Sequence, residues 1–206
     1  MEIKNKLPSK TFCVLPWIHL STRPDGAMRV CCTANASSVG KTDFKKYGGK
    51  VGELRTEDGK PANLNVVGLN ESWNNSYMKN VRKMMLNNEI PSSCQKCFNE
   101  EAAGHRSKRQ WETDYWLERF NLDEIIGETK EDGEIPPKIR YIDLRLGSKC
   151  QLKCIMCSPH DSSAWVQDWK KYYPRVKNES LKYTSQWHGG GADQHGATYN
   201  WYKDNP

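Results

Sequence analysis

The sequence has 206 residues, enough for one large domain or two small ones. Charged residues make up 27% of it and the net charge is +6, yet eight Trp, nine Tyr and four Phe argue against wholesale disorder. The sequence contains no apolar run long enough to cross a membrane and no leader pattern in its first twenty residues, so a cytoplasmic chain is expected.

Residues 11–33 read as a strand, a turn and a return strand. Trp17, Ile18, His19 and Leu20 run into Arg23-Pro24-Asp25-Gly26, where Pro fixes φ and Gly accepts a left-handed conformation. Residues 34–70 are rich in Gly, Asn, Lys and Asp and read as a loop. Trp73, Tyr77, Val81, Met84 and Met85 recur at helical spacing between Glu71 and Asn88, and Pro91 ends that helix. A second helix is expected from about Cys97 to Phe120, with Trp111, Tyr115 and Leu117 on one side. Its basic run, His105 to Arg109, is flanked by Glu100, Glu101, Glu112 and Asp114 and reads as a solvated face rather than a nucleic-acid surface.

Residues 128–137 look like a linker, which gives domains at 1–127 and 138–206. Ile139, Tyr141, Ile142, Leu144 and Leu146 then form a strand buried on at least one face. A cysteine loop follows, and Ser158-Pro159-His160-Asp161 reads as a helix start. The expected fold is an α+β cysteine-rich unit, made of a β-hairpin and helices, followed by a β/α unit.

Eight cysteines need a purpose in a reducing compartment, where clustered thiols are more often metal ligands than disulfides. They fall into two groups. Cys150, Cys154 and Cys157 lie between a strand and a helix start at Cys-x3-Cys-x2-Cys spacing. Three thiolates cannot saturate the four irons of a cubane, so one iron stays open to a small chelating molecule. The other group is Cys13, Cys94, Cys97 and either Cys31 or Cys32. Adjacent strand residues point to opposite sides, so only one of that pair readily joins the others. A structural zinc knuckle satisfies four cysteines equally well. His19 and His105 are isolated and are not expected to be ligands.

The segment Cys150-Gln-Leu-Lys-Cys154-Ile-Met-Cys157 resembles the signature of the radical S-adenosylmethionine (SAM) superfamily, with Met156 where many members carry an aromatic residue. The resemblance implies a [4Fe–4S] cluster on Cys150, Cys154 and Cys157 that binds SAM, cleaves it reductively and yields a 5′-deoxyadenosyl radical. It implies a partial or full (β/α) barrel, of which residues 138–206 hold the first unit. Cys13, then Gly26 separated by four residues from Cys31, which the glycine spacing favours over Cys32, then Cys94-x2-Cys97 is similar to the opening of SPASM and twitch auxiliary domains. That likeness implies a second, closed [4Fe–4S] cluster, here ahead of the barrel rather than behind it. Relatives of this kind take peptides or proteins as substrates and electrons from flavodoxin or ferredoxin.

A Gly-Gly-Glu segment used by such enzymes near the SAM amino group is absent, so the sequence is expected to be a truncated part of a longer enzyme that does not complete the SAM pocket alone. The competing reading is a non-catalytic zinc protein, with Cys94/Cys97 and Cys154/Cys157 pinching one ion and the positive charge meeting nucleic acid.

Overall fold

Phe12, Val14, Leu15, Trp17 and Ile18 form a nearly continuous apolar run, and all five are buried. A computed structural model describes residues 7–23, 26–34, 54–145, 147, 149–157, 162–165, 167, 168 and 171. The chain divides into two compact units, Met1–Ser21 with Ala27–Asp143, and Thr22–Gly26 with Leu144–Pro206.

In the first unit the apolar run opens with a single helical turn, α1 (Leu15–Ile18), and only then becomes strand β1 (His19–Thr22). The sequence reading placed Trp17 and Ile18 in the strand. Pro16 near the start of the turn supplies helical φ at no hydrogen-bond cost, which explains the difference. The return strand β2 (Met28–Arg29) lies on one side of β1 and β3 (Tyr141–Asp143) on the other. β3 runs parallel to β1, with His19, Leu20 and Ser21 opposite Tyr141, Ile142 and Asp143. The turn before β2 closes with the Gly26 amide donating to the Arg23 carbonyl at 2.9 Å, and Gly26 takes φ +82°.

β3 is shorter and more open than expected. It spans three residues, Ile142 is 57% exposed and Tyr141 and Asp143 are half-buried, while Leu146 lies outside the described residues.

The helix expected over Glu71–Asn88 is two helices, α2 (Leu69–Trp73) and α3 (Ser76–Leu86). Asn75 divides them. Its buried side chain donates to the Ser72 carbonyl at 2.7 Å and accepts from the Met78 amide at 3.0 Å, so it caps the second helix instead of continuing the first. Tyr77, Met78, Val81 and Met85 form the buried stripe of α3. Arg82 is also fully buried there. Its guanidinium donates to the carbonyls of Pro16, Trp73 and Gly133 and to the Asn74 side chain, all between 2.9 and 3.1 Å.

The second long helix is likewise divided, into α4 (Gln95–Ala102) and α5 (Lys108–Leu117). Gly104, at φ +83°, ends the first, and Ser107 with Gln110 forms a capping box for the second. A short helix, α6 (Leu122–Ile126), follows. Residues 128–137 then pack along α3. Ile135 is fully buried, Asp132 pairs with Lys79 at 2.8 Å, and a Cβ on Gly133 would stand 2.2 Å from the Lys79 carbonyl oxygen.

In the second unit the described part is the cysteine loop and a 3-10 turn, Ser163–Trp165. The expected helix start at Ser158–Asp161 lies outside the described residues. Among the described residues no helix is long and apolar enough to cross a membrane.

Candidate metal centre

Four thiols from distant parts of the first unit line one cavity, Cys13, Cys31, Cys94 and Cys97, and Leu15, Met85 and Arg109 are among its other lining residues. Local structure delivers each of them. Cys13 sits just ahead of α1, and Cys31 follows the return strand. Cys94 ends a 3-10 turn (Ser92–Cys94), and Cys97 lies on the first turn of α4. Burial pushes the Cys13, Cys31 and Cys94 thiols up, Cys94 to about 12. Neighbouring thiols add to the effect, since Cys13 is raised further by Cys31, Cys94 and Cys97. Thiols whose charge is disfavoured by burial, and at Cys13 and Cys94 by neighbouring thiols as well, suit a cation able to hold them as thiolates. The donor set is all sulfur, which fits an iron–sulfur cluster or a single zinc ion.

Arg109 braces this cavity. Its Nη1 donates to the Phe12 carbonyl at 2.7 Å and to the Lys10 carbonyl at 3.2 Å, and its Nε donates to Glu101 Oε1 at 2.9 Å. The sequence reading treated residues 105–109 as a solvated face. Arg109 is instead buried, Lys108 pairs with Glu112 at 2.6 Å and Arg106 pairs with Asp114. Trp111 and Tyr115, read as sharing one side of the expected helix, are about half exposed beneath the Arg106 and Arg119 guanidiniums.

Residues 13–98 match the SPASM iron–sulfur cluster-binding domain. SPASM domains are found in radical SAM enzymes. The match begins at Cys13 and ends one residue past Cys97, so it brackets the four thiols of the cavity. No curated protein and no solved structure matches the chain.

Cys150, Cys154 and Cys157 lie beyond the SPASM match, on a loop gathered by the residues that follow it. Ser162 Oγ donates to the Leu152 carbonyl at 2.6 Å, Ser163 Oγ accepts from the Cys150 amide at 3.3 Å, and Trp165 Nε1 donates to the Cys154 carbonyl at 3.1 Å. Within the loop the Cys157 amide donates to the Cys154 carbonyl at 2.9 Å. Cys154 is exposed, and Ile155 and Met156 stand almost wholly in solvent.

The zinc-ribbon alternative paired Cys94 and Cys97 with Cys154 and Cys157. Around the SPASM cavity the partners of Cys94 and Cys97 are Cys13 and Cys31.

Cys32 is not among the residues of that cavity. It belongs to a group with His19 and Asp143 whose ligand atoms all lie within 4.8 Å of one another. His19 is fully buried, stacks on Tyr141 at 4.1 Å, and neither ring nitrogen has a hydrogen-bond partner. Burial lowers its pKa to about 4, against the opposing pull of Asp143, so the ring is neutral at pH 7. Sequence reasoning set His19 aside as isolated, kept Cys32 only as an alternative to Cys31, and did not consider Asp143. The signal was present in the adjacent Cys31-Cys32 pair, because a thiol directed away from one site is directed toward another.

Proposed function

We propose that this sequence is part of a radical SAM enzyme with an auxiliary iron–sulfur cluster. In this reading Cys13, Cys31, Cys94 and Cys97 hold the auxiliary [4Fe–4S] cluster, which is closed by four thiolates and passes electrons or orders the substrate. Cys150, Cys154 and Cys157 hold a second [4Fe–4S] cluster, whose open iron takes SAM and supplies the electron for its cleavage to a 5′-deoxyadenosyl radical. The segment 128–137 belongs with the auxiliary unit, and the strand and loop over residues 138–157 open the catalytic part. Peptides or proteins are the substrate class, flavodoxin or ferredoxin the electron source, and the cytoplasm the compartment.

The observation that carries this reading is the set of four cavity thiols bracketed by the SPASM match. The three-cysteine loop adds the incomplete ligand set that catalysis needs.

Oxygen-free purification with iron, sulfide and zinc analysis tests it. The expected product is brown, with about eight irons per chain for two cubanes, and Cys154→Ala retains about half of them. Where a SAM pocket is complete, SAM shifts the paramagnetic resonance of the reduced cluster that Cys154→Ala removes. Colourless protein with stoichiometric zinc, or loss of all iron on replacing Cys154, overturns the assignment.

A further inference from the structure

We propose that His19, Cys32 and Asp143 form a second metal centre, a mononuclear site for a divalent cation of the zinc class, separate from the four-thiol cavity. One sulfur, one nitrogen and one carboxylate oxygen come within 4.8 Å of one another. Tetrahedral zinc, with bonds of about 2.0–2.3 Å, holds its ligands roughly 3.3–3.8 Å apart, so closure asks for a contraction of about 1 Å. This mixed donor set selects zinc over magnesium or calcium, which take oxygen alone.

The buried imidazole points the same way. Both His19 nitrogens lack partners, although a fully buried polar ring ordinarily satisfies at least one. Its orientation is nevertheless fixed, by stacking on Tyr141 across the parallel β1–β3 register. The same register sets Ser21 beside Asp143, and the Ser21 hydroxyl donates to Asp143 Oδ2 at 3.2 Å, leaving the other carboxylate oxygen free of that bond. Arg29 holds the Cys32 carbonyl at 2.6 Å.

Charge also balances. A thiolate and a carboxylate neutralise one dication, and nearby Lys108 is already paired with Glu112. Cys, His and Asp also make up nucleophilic triads, but those require the imidazole to bond both partners, and here it bonds neither. Three protein ligands leave a fourth position for water or an exogenous molecule.

The test begins from chain in which Cys150, Cys154 and Cys157 are replaced by Ser, so that the loop takes no metal. The four-thiol site is filled with iron and sulfide without oxygen, and zinc is then added and its excess removed. One zinc per chain is expected, falling at least tenfold in Cys32→Ser, His19→Gln and Asp143→Asn while the iron content stays constant. X-ray absorption at the zinc edge of the Cys32-, His19- and Asp143-intact protein should show a single sulfur among nitrogen and oxygen ligands, which decides the matter even if a variant fails to fold. Failure to retain zinc, retention in all three variants, or a zinc shell of sulfur only overturns the site. Iron lost together with zinc in folded Cys32→Ser also overturns it, because Cys32 would then be a cluster ligand. Failure to take up iron counts against the auxiliary cluster alone: zinc then fills the four-thiol cavity as well, and the site stands if Cys32→Ser, His19→Gln and Asp143→Asn each remove one of two zinc ions and falls if they remove none.

Discussion

Arg109 donates to the Phe12 carbonyl oxygen at 2.7 Å, immediately before Cys13 in the chain. The same guanidinium pairs with Glu101 and lies 4.8 Å over the Phe98 ring, both on α4, which also carries Cys97. One cation on α5 therefore joins two of the chain segments that bring thiols to the four-thiol cavity. It also lines that cavity, where it favours negative charge on Cys94.

Replacing Arg109 by Met should cost about 3–5 kcal/mol, the usual penalty for leaving a buried partner charge uncompensated. Glu101 is that partner, with a side chain 16% exposed. Arg109→Lys keeps the charge without the planar fork that spans a carboxylate and two carbonyls, so it should fall between. Urea unfolding measures both. If the iron assignment holds, Arg109→Met also releases iron faster to a chelator, because a positive wall beside four thiolates is gone. Wild-type stability in the Met variant would mean the pair is incidental.

The same pair makes stability depend on pH. Burial alone would raise the Glu101 carboxyl, but the Arg109 guanidinium and the Ser107 hydroxyl hold it below the usual carboxylate range. A carboxyl lowered on folding contributes stability that is fully present above its unfolded value, about 4.3, and lost as pH falls through its folded value. Glu101→Gln should therefore be less stable than the parent at pH 7, with the gap closing below about pH 4. An equal gap at pH 7 and pH 3 would show that the carboxylate charge is not the source.

On the cysteine loop, Ser162 and Ser163 act through backbone atoms rather than through the thiols. Ser162 is buried and caps the Leu152 carbonyl, and Ser163 bridges to both the amide and the carbonyl of Cys150. Replacing both by Ala should speed amide exchange across residues 150–157 by roughly tenfold or more, since each lost bond is worth about 1 kcal/mol. If the proposed cluster assignment holds, iron bound through Cys154 should fall while iron bound through Cys94 stays. Unchanged exchange would leave the loop held by other means.

Much of this molecule could be read from residue spacing, and what could not has physical reasons. The helical stripe of Tyr77, Val81 and Met85 was visible because burial imposes a period of 3.6. The break at Asn75 was not, since Asn is tolerated inside helices and only its bonds to Ser72 and Met78 make it a cap. Cys13, Cys31, Cys94 and Cys97 were grouped by their likeness to the SPASM and twitch pattern, and those four side chains line one cavity. Cys32 with His19 and Asp143 depends on a parallel strand pairing between residues more than a hundred positions apart, which no local pattern announces. The segment 128–137 looks like a linker by composition. Its attachment runs through Gly133 and a single buried side chain, Ile135, too few apolar residues to set a period.

Arg82 offers the sharpest test of that attachment. Its guanidinium satisfies the Pro16, Trp73 and Gly133 carbonyls and the Asn74 side chain at once, and so ties α1, α2 and the 128–137 segment to α3. Lysine offers three donors from a single point and cannot span acceptors spread around a planar fork. Arg82→Lys should therefore leave buried carbonyls unpaired and cost about 3 kcal/mol or more, a fall of roughly 10 °C in Tm for a chain of this size. Gly133→Ala attacks the same junction from the other side, through a Cβ that meets the Lys79 carbonyl and a backbone at φ +88°. Because both changes loosen one contact, their costs should add to less than the sum in the double variant, and full additivity would show that the two residues stabilise the unit independently.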